Sequence, residues 1–489
     1  MTNESEQLAA LAKTARDGGT EDQALPRLAA YLARNPGDLL VLHWHALLLR
    51  GLDRRDEAIV LLEAARRLTP DNASLAHSLA QLKLEAGLPA SGSFLEAIRL
   101  ATTNPELRLG LAAARFAEGE GELALSELDA MLKAQAGWYP GHRQYAQLAT
   151  LSGLGAAAMA SYERAIAAFP DSGQLYYEAA SLLIQGERYG DALAMLDRGL
   201  VRAGEAKLFL QLKAGALDEL GQEAAADALF ARLGVIDDLA HTVRRQRFLL
   251  RRGEAGAATR ELEPWLAAGV MEGLWPYAAL AWRLSGDPRA AWLERPEFVA
   301  IVDLDPGEVD LAALAAVLRR LHERSGRFLD QSVRRGTQTE GNLFARTDLE
   351  IVRLREALRR AVASYAERLP SPEAGHPLLA RRPRKRVRFA GSWSVRLGDA
   401  GFHQYHQHPQ GWISSAFYIA VPEALAPGEG QLLLGGAPLD LGLGLAPAQT
   451  VEPKPGRLVI FPSTMWHGTS PFAEGERLSV AFDITPELA

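Results

Sequence analysis

The chain has 489 residues, 48% of them hydrophobic, and a formal net charge of −7. That length suggests roughly two to four domains, and the mild negative charge argues against a general nucleic-acid binder, whose surface is usually basic. With no cysteine at all, disulfides, thiolate metal sites, iron–sulfur clusters and cysteine nucleophiles are excluded. The opening "MTNESEQLAALAKTARDGG" lacks a basic start followed by an apolar run. No stretch reaches ~18 uninterrupted apolar residues. A cytoplasmic protein without a membrane span is therefore expected.

A helix or cap is expected at 1–19, followed by a repeated pattern. Prolines recur at Pro36, Pro70, Pro105, Pro140 and Pro170, a spacing of about 34 residues. They are expected just after helices, where a residue unable to continue the helix is tolerated. In the unit ending at Pro70, Ala58, Leu62 and Ala65 fall where a second helix packs closely on its neighbour. Tyr176, Leu183, Ala192, Leu196 and Leu200 keep a similar phase later. These positions resemble the tetratricopeptide repeat (TPR) family over 20–290, with the units beyond 205 resting on helical periodicity in "AKLFLQLKAGALDELGQEAAADALFARLG". One such unit cannot bury its own apolar face, so neighbours stack into an all-α solenoid whose concave surface suits a protein or peptide partner. The blander uses are a scaffold, a dimerisation arm or a cover for the second domain.

A linker is expected at 291–305, and a second domain at 306–489. Two helical patterns come first, around 307–324 and 348–368, the second with Thr347 and Glu350 in a capping box. Then the period changes. Val387, Phe389, Trp393, Val395 and Leu397 share one parity, as in a half-buried strand. "WISSAFYIAV", "GQLLLGG", "GRLVIFP" and "RLSVAFDI" follow, separated by Gly and Pro. Short strands with turn signals indicate a jelly-roll sandwich or barrel. The fold expected is thus α+β and multidomain, a TPR-type solenoid ahead of a jelly roll with flanking helices. The basic run at 381–388 is read as a solvated loop.

Three of the eleven histidines stand in "GFHQYHQHP" at 401–409. In an extended segment His406 and His408 share a face, and His403 has the other parity. His406 and His408 are the expected metal pair, with His403 outside it as an orienting neighbour. A third ligand from a distant strand is available in His467. Imidazole suits iron, zinc, copper or nickel, so the ligands alone do not choose the metal. In "ERLSVAFDI", Leu478, Val480, Phe482 and Ile484 lie on one parity, Arg477 and Ser479 on the other. An arginine facing into a barrel needs an anion, either an internal Asp or Glu or a bound carboxylate gripped through two parallel hydrogen bonds.

The segments "FLDQSVRRGTQTEGNLF", "GSWSVRLGDAGFHQYHQHPQGWISSAFYIAVP" and "PGRLVIFPSTMWHGTSPFAEGERLSVAFDI" stand in order between 328 and 485. Together they resemble a bacterial and phage group of 2-oxoglutarate- and iron(II)-dependent oxygenases. That resemblance implies a double-stranded β-helix, with His406, His408 and His467 on iron(II). It implies Arg477, assisted by Ser479, on the far carboxylate of 2-oxoglutarate, and Tyr418 as a second contact to this cosubstrate. The implied reaction consumes O2, decarboxylates 2-oxoglutarate to succinate and hydroxylates a substrate; a preceding solenoid suggests a polypeptide. His408 replaces the carboxylate of the usual two-histidine triad, although close relatives also tend to carry H-x-H. Three neutral imidazoles would leave the metal more positive and favour a dianionic ligand. Asp399 or Asp483 could still bring a carboxylate to the metal, and His403 stands where relatives tend to have Asn. The alternatives are a cupin-like metal protein, lacking the expected Glu after His408, and a TPR interaction scaffold with a silent barrel.

Overall fold

The computed structural model describes residues 3–269, 273–323, 332–380, 387–409 and 411–485. Helices dominate up to Leu293: α1 (Asn3–Asp17), α2 (Glu21–Arg34), α3 (Leu39–Gly51), α4 (Arg55–Leu68), α5 (Ala73–Glu85), α6 (Ser91–Leu100), α7 (Pro105–Ala117), α8 (Gly121–Ala134) and α9 (Tyr139–Leu151). They continue as α10 (Ala160–Ala168), α11 (Gly173–Gln185), α12 (Tyr189–Ala203), α13 (Lys207–Glu219), α14 (Glu223–Leu233), α15 (Leu239–Arg251), α16 (Ala255–Ala267), α17 (Trp275–Ser285) and α18 (Arg289–Leu293). This is the antiparallel helix-pair pattern of TPR proteins. No helix among the described residues is long and apolar enough to cross a membrane.

Side-chain oxygens start several of the first helices of pairs. Asp38 accepts the Val41 N–H at 3.2 Å, Asn72 that of Leu75 at 3.1 Å, and Asp238 that of His241 at 2.7 Å. Each satisfies a donor that the helix itself cannot. Ala58, Leu62 and Ala65 are buried as their spacing implies, and so are Tyr176, Leu183, Ala192 and Leu196, while Leu200 is only half-buried. Burying one such leucine contributes about 1.5–3 kcal/mol. The prolines correct the expectation in part. Pro36, Pro70 and Pro170 lie in turns between helices, but Pro105 opens α7 and Pro140 sits in the first turn of α9. There the missing N–H is one the helix start leaves unpaired anyway.

The chain forms two compact units, Met1–Met131 with Gly341–Val352, and Leu132–Glu340 with Arg353–Ala489. In the first, α1 to α5 share one apolar core, and the Thr347 N–H donates to the Ala86 carbonyl at 3.3 Å. The Thr347 hydroxyl also points to Ala86, at 3.5 Å.

The second unit holds two antiparallel sheets. The larger runs β1-β7-β4-β9-β3-β2, with β1 (Ala300–Asp303), β2 (Val333–Gln338), β3 (Phe389–His403), β4 (Ile413–Ala420), β7 (Arg457–Pro462) and β9 (Arg477–Ile484). The smaller runs β6-β5-β8, with β5 (Leu432–Leu434), β6 (Gln449–Val451) and β8 (His467–Thr469). Ala416, Tyr418, Val459 and Phe461 of the larger sheet meet Leu432, Leu434 and Val451 of the smaller, which is the jelly-roll core. The helices α19 (Leu311–His322) and α20 (Leu349–Arg368) fall where the helical patterns place them. β3 is covered on both faces: Ser392 and Ser394, of the parity opposite to Val395 and Leu397, are also buried. Ser394 meets His322 of α19 at 3.0 Å, and the other ring nitrogen of His322 meets Thr337 at 2.8 Å. Most of the basic run at 381–388 lies outside the described residues.

The segment expected to be a linker, 291–305, is structured: it ends α18 and supplies β1, which pairs with β7. The reason is a shared core. Ala437, Leu441 and Trp466 of the barrel pack with Leu249, Leu274, Tyr277 and Leu293 of the helices. The Trp466 indole N–H donates to the Pro276 carbonyl at 3.0 Å, and its ring meets Tyr277 edge-on at 5.4 Å. Trp466→Ala is expected to destabilise this unit by about 3–5 kcal/mol. Urea unfolding followed by far-ultraviolet circular dichroism would show this as an earlier transition; an unchanged midpoint would mean the joint core carries little.

Candidate metal centre

The centre is built from two segments joined by a single backbone bridge. The His406 N–H donates to the His467 carbonyl at 2.9 Å, and the His467 N–H returns to His406 at 3.0 Å. Residues paired in this way on antiparallel chains send their side chains to the same face. The two rings accordingly lie 4.2 Å apart between centroids. His408 reaches them from two residues further on, at 5.1 Å from His406 and 4.9 Å from His467. One ligand nitrogen from each of His406, His408 and His467 falls within 4.8 Å of the others, so the three could hold a metal ion.

Which nitrogen faces the ion follows from what the other one does. Each Nδ1 is engaged: His406 with the Gln404 carbonyl at 2.9 Å, His467 with the Met465 carbonyl at 3.1 Å, and His408 with Asp483 Oδ1 at 2.6 Å. A carbonyl or carboxylate only accepts, so Nδ1 carries the proton and Nε2 keeps its lone pair. Burial, then the neighbouring imidazoles, keeps His406 and His467 neutral. His406 is pushed down to about 3, and His467 lies well below the usual histidine range. Phe461 supports His467 edge-on at 4.8 Å, and Trp393 does the same for His408 at 5.2 Å.

Neither aspartate joins the triad. Asp399 accepts the Gly475 N–H at 2.8 Å at the surface. Asp483 stands behind His408 and also accepts the Ser414 hydroxyl at 2.7 Å, across the β4–β9 register pair Ser414–Asp483. The carboxylate absent from the triad therefore sits one hydrogen bond further out, where it fixes the ring. This role was readable in part, because Asp483 shares the parity of Arg477 and Ser479 in "RLSVAFDI". His403 is closer than parity suggests. Its ring stacks on His406 at 5.6 Å and its Nδ1 meets the Ser332 hydroxyl at 3.0 Å. β3 ends at His403, and the chain bends at Tyr405 before the isolated bridge at His406, so counting by twos does not carry from one histidine to the next.

Arg477 is buried, with 3% of its surface exposed. Nη1 donates to the Gly430 carbonyl at 3.1 Å and Nη2 to Tyr418 Oη at 3.4 Å, while Nε is buried with no partner. The guanidinium lies over the Tyr418 ring, 5.0 Å from its centroid. Among the described residues no Asp or Glu pairs with it, and burial draws it below the usual arginine range. Ser479 is the register partner of Tyr418 and shares Arg477's face of β9. A buried cation with donors left over is costly unless an anion meets it. The donor set thus fits a carboxylate ligand as the imidazoles fit a metal.

Removing the carboxylate behind His408 is expected to loosen whatever ion the rings hold. Asp483→Asn should weaken metal binding about 10–100-fold, read by competition with a chromogenic chelator; equal affinity would mean that Asp483 is only a strand-pairing residue.

Comparison with known proteins places this arrangement. No curated protein sequence matches the chain. Similar folds include a tetratricopeptide repeat protein from Parabacteroides merdae, at 15% identity and TM-score 0.31, covering 49% of this chain and 95% of that one. A Pseudomonas putida prolyl-4-hydroxylase aligns at 16% identity and TM-score 0.28, over 41% and 98% of the two chains. HygX from Streptomyces hygroscopicus, solved with nickel and 2-oxoglutarate bound, aligns at 14% identity and TM-score 0.28, over 40% and 85%. Residues 391–483, which contain all three histidines and Arg477, match the sequence profile of a family described as "Putative 2OG-Fe(II) oxygenase".

Proposed function

We propose that this protein is a 2-oxoglutarate- and iron(II)-dependent dioxygenase that hydroxylates a protein or peptide recruited by its helical array. One observation carries the reading: three imidazole lone pairs converge in a barrel whose buried guanidinium no acid neutralises. His406, His408 and His467 would hold iron(II). Arg477, with Tyr418 and Ser479, would hold the far carboxylate of 2-oxoglutarate. When bound, iron and 2-oxoglutarate supply the oxidising chemistry, consuming O2 and releasing succinate and carbon dioxide as one oxygen atom enters the substrate.

The chain's own residues bind, orient and shield. The acceptors on Nδ1 hold each ring in one tautomer and one direction. Arg477 can present two parallel N–H groups to a carboxylate, and the Tyr418 hydroxyl beside Nη2 can add a third contact. Both side chains are buried, so water competes poorly and each charge-assisted bond strengthens. Three neutral ligands, backed by Asp483, leave more positive charge on the ion than a carboxylate triad would, which favours a dianionic keto acid. A cupin-like protein of other chemistry would have no use for an unpaired Arg477. The helical array supports a polypeptide substrate because stacked repeats present long surfaces to chains.

Purified protein given iron(II), 2-oxoglutarate and air is expected to form succinate slowly without any substrate. No keto-acid turnover with any metal would leave the scaffold or cupin reading. Arg477→Ala is expected to weaken 2-oxoglutarate binding by about 30-fold or more, as losing one partner of a buried charged pair does, while metal content stays intact. Calorimetric titration of the metal-loaded variant checks this, and unchanged affinity would refute the assignment.

A further inference from the structure

A cleft of about 440 Å³ opens between the helices and the barrel of the second unit. Tyr189 of α12, Gly215 and Asp218 of α13, and Arg244 and Arg247 of α15 line one side, and Gln404, Tyr405 and Asp440 line the other. Its size is that of sites that take a few residues or a small molecule.

Its charges are paired with one exception. Glu219 accepts from Arg247 at 2.6 Å and from Arg251 at 3.0 Å. Asp218 accepts from Arg251, and Asp440 from Arg247. Glu187 accepts from Arg334 at 2.6 Å. Among the described residues, no hydrogen bond or ion pair reaches the guanidinium of Arg244. Yet its position is built. Its stem crosses α13 at Gly215, where a Cβ would come within 2.6 Å of the arginine Cδ, so the lie of this side chain depends on glycine. Burial draws its guanidinium below the usual arginine range, with no acid close enough to offset that fully.

The cleft wall shares a chain segment with the metal centre. Tyr405 lies over Gly436, where a Cβ would come within 2.2 Å of the phenol oxygen, and it directly precedes His406. Gln404, on the same wall, gives its carbonyl to His406 Nδ1 at 2.9 Å.

We propose that this cleft seats the polypeptide substrate by an acidic side chain, an Asp or Glu carboxylate resting on Arg244. This deepens the oxygenase reading and rests on it, since the acidic peptide would be the molecule oxidised. A planar guanidinium with all its donors free takes a carboxylate through two parallel bonds, and the four acids of the cleft are already engaged by Arg247, Arg251 and Arg334.

The test uses the full-length protein and end-blocked synthetic hexapeptides, one Asp or Glu in each, against Asn and Gln counterparts. Binding is read by fluorescence anisotropy without added iron, so it does not depend on turnover. Acidic peptides are expected to bind at least about tenfold more tightly than their amides, the low end for a hydrogen bond to a charged group. Arg244→Met, which keeps the apolar stem on Gly215, should abolish that preference, and Arg244→Lys should retain part of it. No preference in the unaltered protein, or a preference that survives Arg244→Met, overturns the site; the first comparison needs no variant to fold. Substrate-free succinate formation is assayed in parallel. An Arg244-dependent preference without succinate would keep the docking site and reject the oxygenase. Succinate without any acidic preference would reject the docking site alone.

Discussion

Two reciprocal backbone hydrogen bonds between His406 and His467 hold the candidate centre together. They extend the three-stranded sheet β6-β5-β8 by one residue pair, and that pair is where the metal ligands stand. Side-chain direction in a paired strand is set by the backbone, so the bridge brings two imidazoles to one face without strain in either ring. The remaining contacts refine this. Met465 and Gln404 fix two rings by their carbonyls, and Asp483 fixes the third from the next sheet. A centre of this design is rigid because its positions are main-chain positions, which is what oriented chemistry requires.

Strand β9 ties the two halves of the centre to each other. Asp483 at one end of its inner face backs His408, and Arg477 at the other holds Tyr418. Ser479 between them pairs with Tyr418 across the strands. The aspartate stands six positions along the strand from the arginine, about 20 Å of backbone by the rise per residue. That span lets an anion-binding end and a metal-supporting end share one rigid element without neutralising each other. If Arg477 and Asp483 were adjacent they would form an ion pair, and the guanidinium would have nothing left for a ligand.

The helical array and the barrel are not beads on a string within the second unit. Trp466 belongs to the barrel by sequence, one residue before a candidate ligand, yet its indole is packed among helices α15 to α18. The same junction forms the cleft walls, with Arg247 and Arg251 of α15 held by Asp440 of the barrel. The helices and the barrel of this unit therefore share residues at their junction.

The sequence by itself determined the helix pairs, the strands β3, β4, β5, β7 and β9, and which imidazoles and guanidinium are the candidates. Those features are local or periodic: Ala58 and Leu62 declare a packed helix face, "RLSVAFDI" declares a two-faced strand, and clustered ligand-type residues declare a site. Tertiary structure alone decided three things. It placed Asp483 behind His408 instead of on the metal, because that depends on the Ser414–Asp483 register. It moved His403 against His406, because β3 ends at His403 and the chain bends at Tyr405 before the His406 bridge. It also turned the expected linker into β1, because β1 is a strand only once β7 lies beside it. Each turns on which residues meet across the sheet, a fact of register and pairing that no local pattern in a single chain encodes.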